Sequence, residues 1–314
     1  MPVKISKDVR IPGIDNNDKF AKWVDSKCQS NLTIDHSLLG GIGLFYESTE
    51  EVQDDEDQII LRIPPTSVYN MDTLLDLLSE LKKRDKQHTE DAPIIESQLI
   101  NNLLKILQPE SETIIIFSYL LGLKILQNYR NSHKGNVDYY INSPSVEFDT
   151  YLQILSNTST YCPSEEEAQQ QEPKIKHFNQ LNQLLQSEYD ELMSGLSELY
   201  PDVRIKELLP YQTFFQIYRA LTSRTLEIPK AIQEEGDEDN FTTNITLVPI
   251  LDYVNHNNPN NAYFDIDRKT NDIVLKLKNN EIPRDNTKLE ITISYDTDDQ
   301  TDEFFITYGF TPDS

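Results

Sequence analysis

From about residue 71 to residue 222 the apolar side chains of this chain recur at helical spacing, while on both sides of that block they alternate. A period near 3.6 lines one face of a helix and a period of two lines one face of a strand, so a helical segment must sit inside a β-rich sequence. Within the block, Ile95, Leu99, Leu103 and Leu107 form one stripe, and the run TIIIFSYLLGLKIL (113–126) is apolar nearly all round, as a helix buried on every side requires. Phe178, Leu181, Leu185, Leu192, Leu196 and Leu199 form a second stripe, and Phe214, Tyr218 and Leu221 a third; both read as core.

Outside the block, IILRIPP (59–65) reads as a strand stopped by two prolines. Residues 263–267 and 273–278 alternate around a hairpin turn, RKTND. Leu289, Ile291, Ile293 and Tyr295 alternate as well, which predicts one strand with Tyr295 facing a core or pocket. The expected fold is α+β, with divisions at 1–75, 76–220 and 221–314, and 314 residues suffice for it.

Near the start, DKFAKWVDSKCQS (18–30) predicts an amphipathic helix with Phe20, Trp23 and Val24 on one side and Asp18 as its N-cap. Gly40, Gly41 and Gly43 are three of only nine glycines, so the backbone there needs positive φ or close approach. The tracts 50–57, 162–173 and 234–240 read as polar or acidic loops.

A formal charge of −25 opposes contact with a phosphate backbone and excludes direct nucleic-acid binding as the expected role. It suits basic protein partners, and it also serves solubility. Cys28 and Cys162 are too few and too far apart for a disulfide framework or a zinc cluster, so no metal is expected. The opening residues lack the apolar core of a signal peptide, and no run approaches a membrane span, which predicts a soluble protein of the cytoplasm, with the nucleus also open to it; a monomer is expected.

The residues able to carry chemistry gather late in the chain. Asn255 and His256 lie in a predicted polar turn after the apolar strand of NITLVPILDYVNH (244–256); an Asn-rich turn also forms for purely local reasons. Arg224 ends a helix, where its charge suits either an anion or the helix dipole. Pro249, Asp252, Asn255 and His256, then a strand ending in Tyr295, then Tyr308-Gly309-Phe310, together resemble the core of SET-domain protein methyltransferases. The nearest subgroup is that of the Rubisco large-subunit lysine methyltransferase and the fungal ribosomal-protein lysine methyltransferases. Gly41-Ile42-Gly43-Leu44 matches the Gly-x-Gly-Leu motif of that family, and Arg224 its Ser-Arg motif.

The resemblance implies a mainly β SET domain with a threaded C-terminal segment, split by an α-helical insertion. It implies S-adenosylmethionine as cofactor, with Gly41, Ile42 and Gly43 running along it and Arg224 approaching its carboxylate. Asp252, Asn255, His256 and Phe310 complete that site by the same likeness. Tyr295 takes the catalytic position and also touches the cofactor, while Leu226, Asp252 and Tyr308 line the lysine channel. The family has phenylalanine where this chain has Leu226, and Asn where it has Asp302.

The implied activity is protein-lysine N-methylation of a ribosomal protein or translation factor. Two alternatives are an inactive SET-like interaction protein and methylation of another side chain such as histidine. The sequence ends four residues after Phe310, where the family continues into a helical substrate-binding domain; either the chain is shortened there, or substrate recognition falls to the insertion and the acidic loops.

Overall fold

The computed structural model describes residues 3–30, 32–47, 56–88, 92–133, 138–158, 160–164, 167, 172–231, 241–283, 287–295 and 301–310. The expected loops at 50–57, 162–173 and 234–240 lie wholly or in part outside them. The chain divides into two compact units: Met1–Val68, Thr225–Phe304 and Phe310–Ser314 in unit 1, and Tyr69–Arg224 with Phe305–Gly309 in unit 2. The second unit thus ends at 224 rather than 220, and it takes five residues from the region expected to belong wholly to the β half. Among the described residues, no helix is long and apolar enough to cross a membrane.

Unit 1 interleaves strands from the two ends of the sequence. One sheet orders β1 (Lys4–Ile5), β3 (Leu32–His36), β4 (Ile42–Glu47) and β12 (Lys288–Glu290). A second orders β10 (Ala262–Ile266), β11 (Ile273–Leu277), β5 (Gln58–Ile63) and β2 (Gln29–Ser30). The hairpin read at 263–278 is present, and Arg62 on β5 pins its turn through Asp267 at 2.8 Å and Asp272 at 2.9 Å. β7 (Thr225–Ala231) and β8 (Phe241–Leu247) pair antiparallel.

Three local expectations give way. The first helix, α1 (Asn17–Lys27), is capped by Asn16, whose side chain accepts from the amides of Asp18 and Lys19, so Asp18 lies inside the first turn. The segment 244–256 is not one strand followed by a turn, because β8 ends at Leu247 and a 3-10 turn over Leu251–Tyr253 follows. Asn255 and His256 then form a strand of their own, β9, paired in parallel with β13 (Thr292–Ile293). The strand expected through 289–295 is likewise split, since β12 pairs with β4 and β13 with β9, with buried Ile291 between them.

Unit 2 begins with β6 (Tyr69–Asn70) and is otherwise helical: α2 (Met71–His88), α3 (Glu96–Leu107), α4 (Glu112–Ser132), α5 (Asp138–Ile141), α6 (Asp149–Asn157), α7 (Pro173–Leu199), α8 (Ile205–Leu208) and α9 (Tyr211–Thr222). It also holds the latter part of α10 (Thr301–Tyr308). Ser111 caps α4 through the Ile114 amide, and the helix is buried continuously from Ile116 to Gln127, as its all-round apolar sequence requires. α3 and α9 pack on it, with Phe117 and Phe214 edge to face at 5.0 Å. Leu199 departs from its predicted stripe and is exposed, because it is the last residue of α7.

The same core encloses a carboxylate. Glu96 is fully buried and accepts from Ser143 Oγ, from Ser145 Oγ at 3.1 Å and from Arg84 at 3.2 Å, with Arg130 at 3.7 Å. Arg130 also pairs with Asp149, tying α4 to α6. Removing Arg130 takes the cation from Asp149 and leaves buried Glu96 to Arg84 alone, so Arg130→Met should lower the unfolding free energy by about 3 kcal/mol. Urea unfolding followed by far-UV circular dichroism measures this; a midpoint unchanged from wild type would show that the network does not hold the helices together.

Candidate active site

The site in unit 1 grows from the segment 288–295, whose backbone bonds to two different partners. Ile291 N donates to Leu44 O at 2.8 Å, joining it to β4, and Asn257 N donates to Ile293 O at 3.2 Å, joining it to β9. Asn261 braces the crossing: its Nδ2 donates to Glu290 O at 2.7 Å, and its Oδ1 accepts from Thr292 N at 2.9 Å. Three separated stretches of sequence therefore converge around Gly43, Asn255 and Glu290.

Their geometry explains the glycines. Gly40 (φ 125°) and Gly41 (φ 65°) turn the chain between β3 and β4 in the left-handed region, where a Cβ is strained. Gly43 serves differently, because a Cβ there would lie 2.7 Å from Glu290 Oε1 and 2.8 Å from Asn255 Nδ2. Glu290 Oε1 accepts from Ser37 Oγ at 2.6 Å and from Asn255 Nδ2 at 2.9 Å, and the same amide donates to Ile42 O at 3.3 Å. Both N–H bonds of Asn255 are thereby committed, which fixes its amide with Oδ1 left as an acceptor. With the second oxygen of Glu290, the site offers acceptors suited to an ammonium group.

His256 joins this arrangement to Tyr295. Tyr295 N donates to His256 Nδ1 at 3.0 Å, so Nδ1 is the bare nitrogen and Nε2 carries the proton. Burial pushes the His256 imidazole below its ordinary value of 6.5, in keeping with the neutral form that this bond requires. Nε2 is buried with no acceptor among the described residues. The ring sits among Tyr295 at 5.4 Å, Phe304 at 5.2 Å and Phe310 at 6.0 Å, and Phe304 meets Phe310 edge to face. Tyr295 Oη donates to Val254 O at 2.7 Å, which fixes the direction of the hydroxyl.

A strained residue precedes the site. Ile250 is buried at φ 78° and ψ −46°, the γ-turn conformation that β-branched residues avoid, and it opens the turn that carries Asp252. Strain of this kind persists only where surrounding structure enforces it.

Of the residues singled out in the sequence, Gly43, Asn255, His256, Tyr295 and Phe310 come together, and Ile42 contributes its carbonyl. Gly41 is exposed in the β3–β4 turn, Asp252 is half-buried in the 3-10 turn, and Leu226 is half-buried on β7 opposite Thr246. Arg224 and Tyr308 belong to unit 2, where Arg224 N donates to Leu221 O just after α9 and Tyr308 ends α10. Sequence reasoning missed Glu290, Ser37, Asn261 and Phe304. The one available signal for Glu290 was a charged residue beside an alternating apolar strand, which ordinarily marks a solvated face. Among the described residues there is no cluster of three or more His, Cys, Asp or Glu placed to hold a metal.

A protein-family model described as cytochrome c lysine N-methyltransferase 1 matches residues 22–314. Proteins of that name are similar to this chain in Saccharomyces cerevisiae, at 31% identity over 286 residues, covering 87% of this chain and 44% of that protein. In Kluyveromyces lactis the identity is 30% over 289 residues, covering 88% and 52%. In Candida glabrata it is 27% over 257 residues, covering 81% and 44%. The chain spans about half the length of the relatives it matches.

The His256 geometry sets a pH dependence. A histidine with a depressed folded-state pKa adds stability that is complete above 6.5 and is lost as pH falls, because the unfolded chain takes up the proton first. His256→Gln, whose side-chain oxygen can still accept from the Tyr295 amide, should therefore lose less stability than wild type between pH 6.5 and pH 5. Thermal melts of the two proteins across that range measure the difference; parallel curves would mean that His256 is not held neutral.

Proposed function

The chain belongs to the family of cytochrome c lysine N-methyltransferases, and from that premise we propose that it transfers a methyl group from S-adenosylmethionine to a lysine amine of cytochrome c. The ribosomal or translation-factor substrate expected from the sequence gives way here to the one named for three relatives. A basic protein partner remains part of the reading, and the charge of −25 favours its approach. The meeting of Asn255, His256 and Tyr295 along the β9–β13 pair supports the reading most strongly.

The groups of unit 1 suit the cofactor's chemistry. Asn255 Oδ1 and Glu290 are acceptors for an ammonium, the Gly43 backbone admits close approach, and the rings of Tyr295, Phe304 and Phe310 offer faces to a cation or a planar base. When bound, S-adenosylmethionine supplies an electrophilic methyl group on a sulfonium. We read unit 1 as the SET-type β domain on the order of its motifs, with Leu226 and Asp252 lining the lysine channel, as the resemblance implies.

The chain's own residues have two tasks. Displacement at a sulfonium methyl needs no acid to expel its leaving group, so alignment and charge stabilisation dominate. The Tyr295 hydroxyl donates its hydrogen bond to Val254 O, and its oxygen can accept from the attacking amine and hold it in line. A lysine reaches the reactive neutral form by losing a proton that its ordinary pKa near 10.4 retains, and aromatic, water-poor walls lower that pKa.

Tyr295→Phe should lower turnover by about 100-fold or more while leaving cofactor affinity within about twofold. Asn255→Ala should instead weaken S-adenosylmethionine binding about tenfold or more, since a charged donor loses its acceptor. Calorimetry with the cofactor and mass spectrometry of cytochrome c after incubation read the two quantities separately. Binding without methylated lysine would favour the interaction-protein reading, and methylation on another side chain would overturn the lysine assignment.

A further inference from the structure

Among the described residues of unit 2, Arg219 is a buried cation with no carboxylate partner. Arg219 on α9 is 1% exposed, and neither Nε nor Nη2 has a hydrogen-bond partner among the described residues. The unit's other enclosed guanidiniums behave differently: Arg84 pairs with Glu96, and Arg130 pairs with Glu96 and Asp149. In a chain with 53 carboxylates and 28 cationic side chains, the most deeply buried guanidinium among the described residues thus has no carboxylate partner there. The ionisable groups felt at Arg219 besides its own burial are the Tyr218 phenol and the Cys162 thiol, neither of them a carboxylate. Burial pulls its pKa below the ordinary value.

The two unanswered nitrogens are chemically specific. Nε–H and the adjacent Nη2–H lie parallel on one edge of the planar guanidinium, the edge that grips both oxygens of a carboxylate. The Phe178 ring lies 5.6 Å from the guanidinium carbon, and this contact offers nothing to those N–H bonds. Phe178 continues into an aromatic series, with Phe215 at 6.1 Å and Tyr161 at 6.0 Å, and Tyr161 packs on Phe305 at 4.6 Å. Phosphate fits less well, because its further oxygens and second charge would face rings rather than donors. Lys174, the cation above Phe305, is paired with Glu172.

We propose that the Nε–Nη2 edge of Arg219 is a binding site for a carboxylate carried on an apolar or aromatic body, distinct from the site in unit 1. With 1% exposure, the ligand enters through local opening of the unit rather than into a standing cleft. The carboxylate has two sources of the same chemistry, the amino-acid end of a small molecule such as S-adenosylmethionine and an acidic side chain of a protein partner.

The test follows the arginine Nε–H resonance by NMR in the full chain, assigned by its loss in Arg219→Lys, with phenylacetate as probe and phenylacetamide as its neutral counterpart. Phenylacetate is expected to shift the Arg219 signal saturably and phenylacetamide to leave it unmoved. In Arg219→Lys, folded by circular dichroism, phenylacetate binding measured by calorimetry should weaken about tenfold, because lysine keeps the charge without the parallel donors. Competition by S-adenosylmethionine would assign the natural carboxylate to the small molecule, and competition by a glutamate-rich peptide to a protein partner. An unmoved signal in folded wild type, or equal shifts by acid and amide, overturns the proposal. The readout needs no methyl transfer, so its failure is separable from failure of the enzymatic reading.

Discussion

The site depends on one division of backbone hydrogen bonding. Residues 288–290 pair with β4 and residues 292–293 pair with β9, with buried Ile291 at the point of exchange. A strand that stayed with one partner would keep its side chains on two fixed faces. By changing partners it sets Glu290 against Gly43 and Asn255 and then carries Tyr295 to His256. Asn261, bonded on both sides of the exchange, makes the division definite.

Charge is handled differently in the two units. In unit 1 the polar groups are oriented by one another and keep spare acceptors or donors: Asn255 Oδ1, the second Glu290 oxygen and His256 Nε2–H. Unit 2 mostly consumes its polar capacity internally, as around Glu96, where two serines and two arginines surround one carboxylate. A satisfied network rigidifies, whereas a preorganised and incompletely used one can bind. Among the described residues of unit 2, the guanidinium of Arg219 departs from this pattern, as do the buried hydroxyls of Tyr69 and Tyr119.

Much of this was legible in the sequence where a segment's own neighbours decide its state. The all-round apolar run became a buried helix, and the alternating pair 262–277 became a hairpin, because periodicity and turn residues agreed there. What escaped depended on distant partners. Asn255 and His256 have the composition of a turn, yet β13, nearly forty residues later, recruits them into a strand. Helix α10 occupies a stretch read only for its aromatic residues, although Phe304, Phe305 and Tyr308 stand at helical spacing. Glu290 was missed in the sequence, and the missing side chain of Gly43 and the amide of Asn255 give it an inward role. The helix cap moved from Asp18 to Asn16 because both are good caps and local sequence does not choose between them.

The interleaving of unit 1 bears on how such a chain is made. β4 meets β12 in the register Phe45 opposite Glu290, and β5 meets β11 with Ile63 opposite Ile273. During synthesis β3, β4 and β5 emerge first, while the strands that complete their sheets lie more than two hundred residues away. Unit 2, nearly all of it contiguous, can collapse in the interval and bring the flanking stretches closer than a loose loop of that length would. Until then the early strands present unpaired edges, and the repulsion between copies of so acidic a chain opposes their pairing with one another.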